Sequence, residues 1–343
     1  MYRIGIDLGG TNIAVGVVDD RHQIVAEASL PAGAHRPAEQ VVADMCRAVE
    51  LALDKAGLTA GDCVSIGVGA PGTCDPARGV VVCAYGGSRV ENWMKRSLLE
   101  EFPDISLKRE DVEKEQEWSR PLLMYNAMFH PVASYTYKGI IWYQGESNTG
   151  SYRTYADRLA LMVKSWREEL GLGDIPFYSV EIVPYEGYGG SGPFLREQQH
   201  RSAGLIPNSA CISTNDLVEP YECGQIHPKK KREVGMRLAL TALNRCYGHS
   251  WLPCEGPRYR DMRTEGSTAI LTFDHVSGGF SRDRGITGFE VAGDDRVFHP
   301  ADEVRIVGNA SIAVSSNCFR DFMPGNLHGA SGLPVVPFRT DNW

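Results

Sequence analysis

Two short stretches carry residues of the right type and spacing for chemistry. The first is Asp7-Leu8-Gly9-Gly10-Thr11-Asn12, which closes an alternating apolar run. Two residues without Cβ let backbone N–H groups and the Thr11 hydroxyl approach an anion, so the turn suits a phosphate; taken alone, it is equally an ordinary tight turn. The second is Gln144-Gly145-Glu146-Ser147-Asn148, directly after the apolar run from Lys138 to Tyr143. It lies at the carboxyl end of a short strand, where ligands gather in a parallel α/β sheet. Ser147 and Thr149 read as loop and capping residues. Further along, His227 stands in CGQIHP just before a helical pattern. An imidazole titrates near neutrality, although a histidine before a proline also serves purely structural ends. Asp216 and Glu222 are the carboxylates near it in sequence, with Asp216 favoured because it follows the strand-like ACIST. Cys223, four residues before His227, is a weaker nucleophile candidate, since a free cysteine usually behaves as a small hydrophobe.

The elements that position these residues follow from hydrophobic periodicity. YRIGIDL and NIAVGVVDD alternate as a glycine-turn hairpin, and QIVAEASLP reads as a third strand. Residues 37–55 form a helical pattern with Val42, Met45, Val49 and Leu53 on its apolar face, stopped by Gly57. CVSIGVGAPGTCDPARGVVV then predicts a buried strand, an APG turn and a hairpin. Residues 152–170 carry Tyr155, Leu159, Met162 and Trp166 at helical spacing, and a helix with Val234, Leu238 and Leu243 follows His227 and ends near Gly248. From Gly256 onward, TAILTFDHV, GFEVAG, EVRIVG and SIAVSS are short strands of a small all-β module, shortened between Ser316 and Cys318. The fold class is therefore α/β with a β tail.

A chain of 343 residues with 43% hydrophobic content has room for about two domains. A net charge of −8 argues against nucleic acid or an anionic membrane as partner, because both require clustered Lys and Arg. The expected partner is a small molecule. Met1 leads straight into a strand, with no leader-like segment and no apolar run of membrane-spanning length, so the chain as written reads as cytoplasmic. Nine irregularly spaced cysteines, without CxxC or a Cys/His cluster, read as reduced thiols. No cofactor and no metal are expected.

DLGGTN and GVGAPGTCDPARGVVV together resemble the opening of ROK-family sugar kinases, over residues 1–85. That resemblance implies a ribonuclease-H-like (actin-like ATPase) ββαβ segment, in which Asp7, Gly9, Gly10 and Thr11 are the remnant of a phosphate-binding site. Kinases of the family go on to an END-type catalytic Asp, a zinc site and a second phosphate loop, none of which occurs in residues 86–343. Hexose phosphorylation from ATP would lack most of its apparatus.

GGSRVENWM, LLMYNAMFHP, GIIWYQGESN, FLREQQ and IHPKKKREVG follow in an order that resembles the sialate O-acetylesterase family of SGNH hydrolases, over residues 86–343. The resemblance implies an incomplete three-layer α/β/α SGNH-type domain over 86–255, a β module over 256–343, and an O-acetylated sugar or sialic acid as substrate. It makes His227 the general base, Gln144 and the Gly87 backbone N–H the oxyanion donors, and Glu146 a brace of the loop or a sugar contact. The 229–232 run KKKR reads as a solvated helix turn rather than a carboxylate site. Two departures stand out. Gly224 occupies the place, three residues before the histidine, where SGNH hydrolases often have Asp. The GQSN-type serine block that should precede the GGS turn does not occur, and the kinase-like segment stands there instead. Without that nucleophile the family's chemistry reduces to weak general-base hydrolysis, or to residual sugar binding by an inactive chimera. Thr11 could replace the serine if strand 1 filled the vacant place in the hydrolase sheet.

Overall fold

The computed structural model describes residues 2–8, 12–32, 38–69, 73–75, 79–281, 285–292, 297–315 and 326–340. They divide into two compact units, residues 1–136 with 161–173, and residues 137–160 with 174–343.

In the first unit, β1 (Tyr2–Leu8) and β2 (Asn12–Val18) form the expected hairpin, with β3 (Ile24–Pro31) beyond β2. Alternation puts Ile4, Ile6, Leu8, Ile13, Val15 and Val17 on one face, where α1 (Ala38–Ala56) covers them with Val41, Ala48, Ala52 and Leu53. Each buried Ile, Leu or Val side chain contributes about 2 kcal/mol. The helix turns a neighbouring stripe inward: Val41 is buried, and Val42, expected on the apolar face, is 47% exposed. Gly57, at φ +67, ends it.

β4 (Cys63–Gly69) pairs in parallel with β1 and closes the order β3-β2-β1-β4. It is an edge strand with one neighbour, so Val64 and Ile66 are 52% and 58% exposed, not buried as the sequence suggested. With β2 on one side and β4 on the other, β1 has both edges filled. It is thus interior to its own sheet, and Thr11, the substitute nucleophile, lies outside the described residues. The hairpin β5 (Thr73–Asp75) and β6 (Val80–Val82) follows. Past two short helices, α2 (Arg96–Leu99) and α3 (Arg109–Val112), an aromatic core forms with the later half of α4 (Tyr152–Leu170). There Trp166 stacks on Phe129 at 4.1 Å between ring centres and donates Nε1–H to the Trp93 carbonyl at 2.9 Å.

The second unit contains the parallel sheet β7 (Ile140–Tyr143), β8 (Phe177–Val180) and β9 (Ser209–Ile212), in that order. All four residues of the central strand β8 are buried, as a parallel sheet covered on both faces requires. Helices α5 (Gly192–Leu205) and α6 (Lys231–Arg245) pack on β8 and β9, and Val180, Ile212, Leu217 and Val234 form a common core. β7 is an edge, and its Ile141 is 66% exposed. On α6, Val234 is buried while Leu243 is 36% exposed.

Beyond these, β10 (Arg258–Glu265), β11 (Thr268–Asp274), β14 (Glu303–Ile306) and β15 (Ser311–Ser315) make an antiparallel sheet in the order β10-β11-β15-β14, and β12 (Glu290–Ala292) pairs with β13 (Phe298–Pro300). Phe273, Phe280, Ile312 and Val314 lie at its core. The shortening expected between Ser316 and Cys318 falls outside the described residues. Among the described residues, no helix is long and apolar enough to cross a membrane.

Candidate functional site

The Gln144–Asn148 loop leaves the carboxyl end of β7 through Gly145, at φ +153. A Cβ there would come within 2.8 Å of Gln199 Nε2 and 2.9 Å of Ile182 Cγ2, so glycine lets the loop settle onto α5 and the chain after β8. Gln199, 1% exposed, braces this junction. It donates from Nε2 to the Gln144 carbonyl at 2.9 Å and accepts the Ile182 N–H at 2.8 Å. The Gln144 side chain is fixed as well: its Nε2 donates to Asn148 Oδ1 at 2.8 Å, and its Oε1 accepts from the buried Tyr155 hydroxyl at 3.1 Å.

Glu146 emerges from this braced loop half-buried. Burial pushes its carboxyl above the ordinary range, while hydrogen bonds from its own loop and the nearby positive charges of His227 and Lys231 pull it back. The exposed His227 thus lies within electrostatic reach of Glu146, and among the described residues it makes no hydrogen bond. The His227 loop is held from below by Glu222, 3% exposed, whose carboxylate accepts N–H groups from Glu219 and Lys229, both at 3.2 Å. The KKKR run divides its work. Lys229 lies over Tyr221 at 5.4 Å, Lys230 pairs with Glu219 at 2.5 Å, and Lys231 lies over the Tyr143 ring at 5.4 Å, facing the site.

Asp216 sits elsewhere in this network. Its two oxygens accept from Arg237 Nη1 and Nη2 at 2.7 and 2.6 Å, and His328 Nε2 adds a third contact at 2.8 Å. The carboxylate favoured in sequence as partner of His227 is therefore engaged by Arg237 and His328, and Glu146 is a carboxylate within electrostatic reach of His227. The Cys223 thiol is pushed up by its hydrogen bond to Glu186, which opposes thiolate formation.

The remaining sequence candidates lie in the first unit. Gly87 is in the Gly86-Gly87 turn at φ +76 against Trp118. Asp7 is exposed near the end of β1, opposite Ala14 and Gly69. Gly9, Gly10 and Thr11 lie outside the described residues. What sequence reading missed is the α5 floor: Gln199 and Arg196 both fall within the quoted FLREQQ stretch, but nothing in its letters marks them as buried.

Chemically, an imidazole with a carboxylate within electrostatic reach, at a strand end, can draw a proton from water or a hydroxyl. The family model described as carbohydrate esterase, sialic acid-specific acetylesterase, matches residues 71–244, just over half of the chain. The ROK family model matches residues 3–103, and the two matches overlap over 71–103. Mouse sialate O-acetylesterase is 26% identical over 242 residues, covering 57% of this chain and 44% of the mouse protein. The human sialate O-acetylesterase is 29% identical over 197 residues, covering 52% of this chain and 38% of its own length. The chain thus spans less than half the length of these curated relatives. A crystal structure of a carbohydrate acetylesterase from Xanthomonas citri matches with a TM-score of 0.64 at 27% identity, covering 99% of this chain and 73% of that one.

Proposed function

Because the chain belongs to the sialic acid-specific acetylesterase family of carbohydrate esterases, we propose that it hydrolyses O-acetyl esters on sugar hydroxyls, with His227 as base and Glu146 as its carboxylate partner. The observation that carries this reading is that Glu146, on the braced loop at the carboxyl end of β7, lies within electrostatic reach of His227. Gln144 supports it too, since an oxyanion donor must be rigid, and Asn148, Tyr155 and Gln199 hold this residue on three sides. Asp216 is assigned to Arg237 and His328 instead. The β7-β8-β9 sheet with α5 and α6 supports reading residues 86–255 as part of an SGNH-type layered domain, with 256–343 as its β module and 1–85 as a kinase-like segment.

The reaction these residues can carry is general-base hydrolysis. His227 takes a proton from water as its oxygen adds to the acetyl carbonyl. The tetrahedral intermediate expels the sugar oxygen, which takes that proton back, leaving acetate and a free hydroxyl. Glu146 stabilises the imidazolium formed in between. The test is acetate release from an O-acetylated sialic acid by the full chain. His227→Ala should slow it about 100-fold; equal rates in parent and variant would remove the proposal.

A further inference from the structure

Helix α5 has two polar faces with different neighbours. Leu195 and Gln199 lie under Gly145, on the side of the proposed ester site. Phe194, Glu197, Gln198 and Arg201, spaced three and four apart, share another face and line a cavity of about 370 Å³. Its other described walls are Tyr152 and Arg153, the first two residues of α4, and Arg339 near the end of the β module. None of the residues proposed for hydrolysis is among them.

The walls hold guanidinium groups in place. Tyr152 and Phe194 stack at 5.2 Å between ring centres, and each ring carries an arginine: Arg153 lies 4.8 Å from the Tyr152 centre and Arg339 5.4 Å from the Phe194 centre. A guanidinium on a ring is attracted through its flat face and keeps its N–H edge for acceptors. Arg339 donates from Nε to both oxygens of Glu197, at 3.0 and 3.1 Å. Arg201 donates from Nη1 and Nη2 to Asp157 at 3.0 and 2.9 Å, and from Nη1 to Gln198 Oε1 at 3.1 Å. Arg153 is exposed, and among the described residues it makes neither hydrogen bond nor ion pair. Set against Glu197 and Asp157, the three arginines leave a positive charge over, in a chain whose net charge is −8.

We infer that this cavity is a second binding site, for a small phosphate monoester. Its guanidinium groups come from three segments, α4, α5 and the chain's C-terminal stretch. A carboxylate is flat and is met by forks lying in its own plane, whereas the three oxygens of a phosphate monoester point in three directions and suit donors from three segments. The charge of such a group, about −1.5 to −2 at neutral pH, answers the surplus cation. Both rings already carry a guanidinium, so the ligand is held through its phosphate and not by stacking. The site does not depend on the ester-hydrolase reading.

The test titrates the full chain calorimetrically, at constant ionic strength, with glycerol 3-phosphate, with glycerate, which carries a carboxylate in place of the phosphate, and with glycerol. The phosphate ester should bind at least about tenfold more tightly than glycerate, and glycerol should not bind. Arg153→Gln, at an exposed position that leaves the fold intact, should weaken the phosphate ester about tenfold, and Arg201→Gln about threefold. Lys164→Gln, which removes an exposed charge further along α4, should leave the affinity unchanged. No binding of glycerol 3-phosphate, or equal affinity for glycerate, would overturn the site. So would an affinity untouched by Arg153→Gln, or a loss in Lys164→Gln as large as in Arg153→Gln.

Discussion

Arg237 grips Asp216 through two parallel hydrogen bonds, Nη1 to Oδ1 at 2.7 Å and Nη2 to Oδ2 at 2.6 Å, and its Nη1 also reaches the Ser213 carbonyl at 2.6 Å. This fork ties α6 to the segment after β9, and His328 joins it from the far end of the chain. Burial alone would raise the Asp216 carboxyl, but His328 and Arg237 override it and hold the group at about 2. Such a group contributes stability that is present above its unfolded value of 3.8 and is lost as pH falls through about 2. His328 runs the other way. Its pKa is raised by Asp216, so its share is present below 6.5 and is lost as pH rises through the raised value.

Asp216→Asn should therefore lower stability by about 2–3 kcal/mol near pH 5, with the difference shrinking toward pH 2. Denaturant unfolding of parent and variant across that range checks it. A constant difference at every pH would show that the ion pair is not its source.

Glu146 makes the opposite prediction. Its carboxyl is raised by burial above the ordinary value of 4.5, so the folded state loses stability as pH rises through the raised value. Glu146→Gln should be more stable than the parent at pH 7 and match it below pH 4.5. Melting temperatures at pH 4 and pH 7 measure the gap, and a variant less stable at pH 7 would contradict the burial argument.

Gly145→Ala should cost about 1–3 kcal/mol, because the positive φ and the approach to Gln199 and Ile182 both resist a methyl group. Ester hydrolysis should fall with it, since Gln144 and Glu146 flank the displaced residue. Wild-type stability in this variant would mean that the loop is not seated on α5.

How much of this was legible in the sequence depended on how local the signal was. The β1–β2 hairpin, α4 and β7 showed through their periodicity, because each buries one face or lies wholly inside. β10 did not: its sequence RYRDMRTE is mostly charged and exposed, as suits an edge strand, and its pairing with β11 is invisible in composition. The exposure of β4 was equally hidden, since its apolar residues do not reveal how many neighbours the strand has. At the site, the motif order singled out His227 and the Gln144–Glu146 loop as candidates. The partner of Asp216 could not be read, because its ligands lie 21 and 112 residues away. The burial of Arg196 is likewise a property of the packed helix and not of FLREQQ.

The central claim is that Glu146 and His227 act as one unit, and a double-mutant cycle on ester hydrolysis tests it most directly. With 4-nitrophenyl acetate as substrate, His227→Ala should lower kcat/KM about 100-fold and Glu146→Gln about tenfold, while the double variant should be no slower than His227→Ala alone. Losses that multiply in the double variant, or a Glu146→Gln variant as fast as the parent, would contradict the pairing.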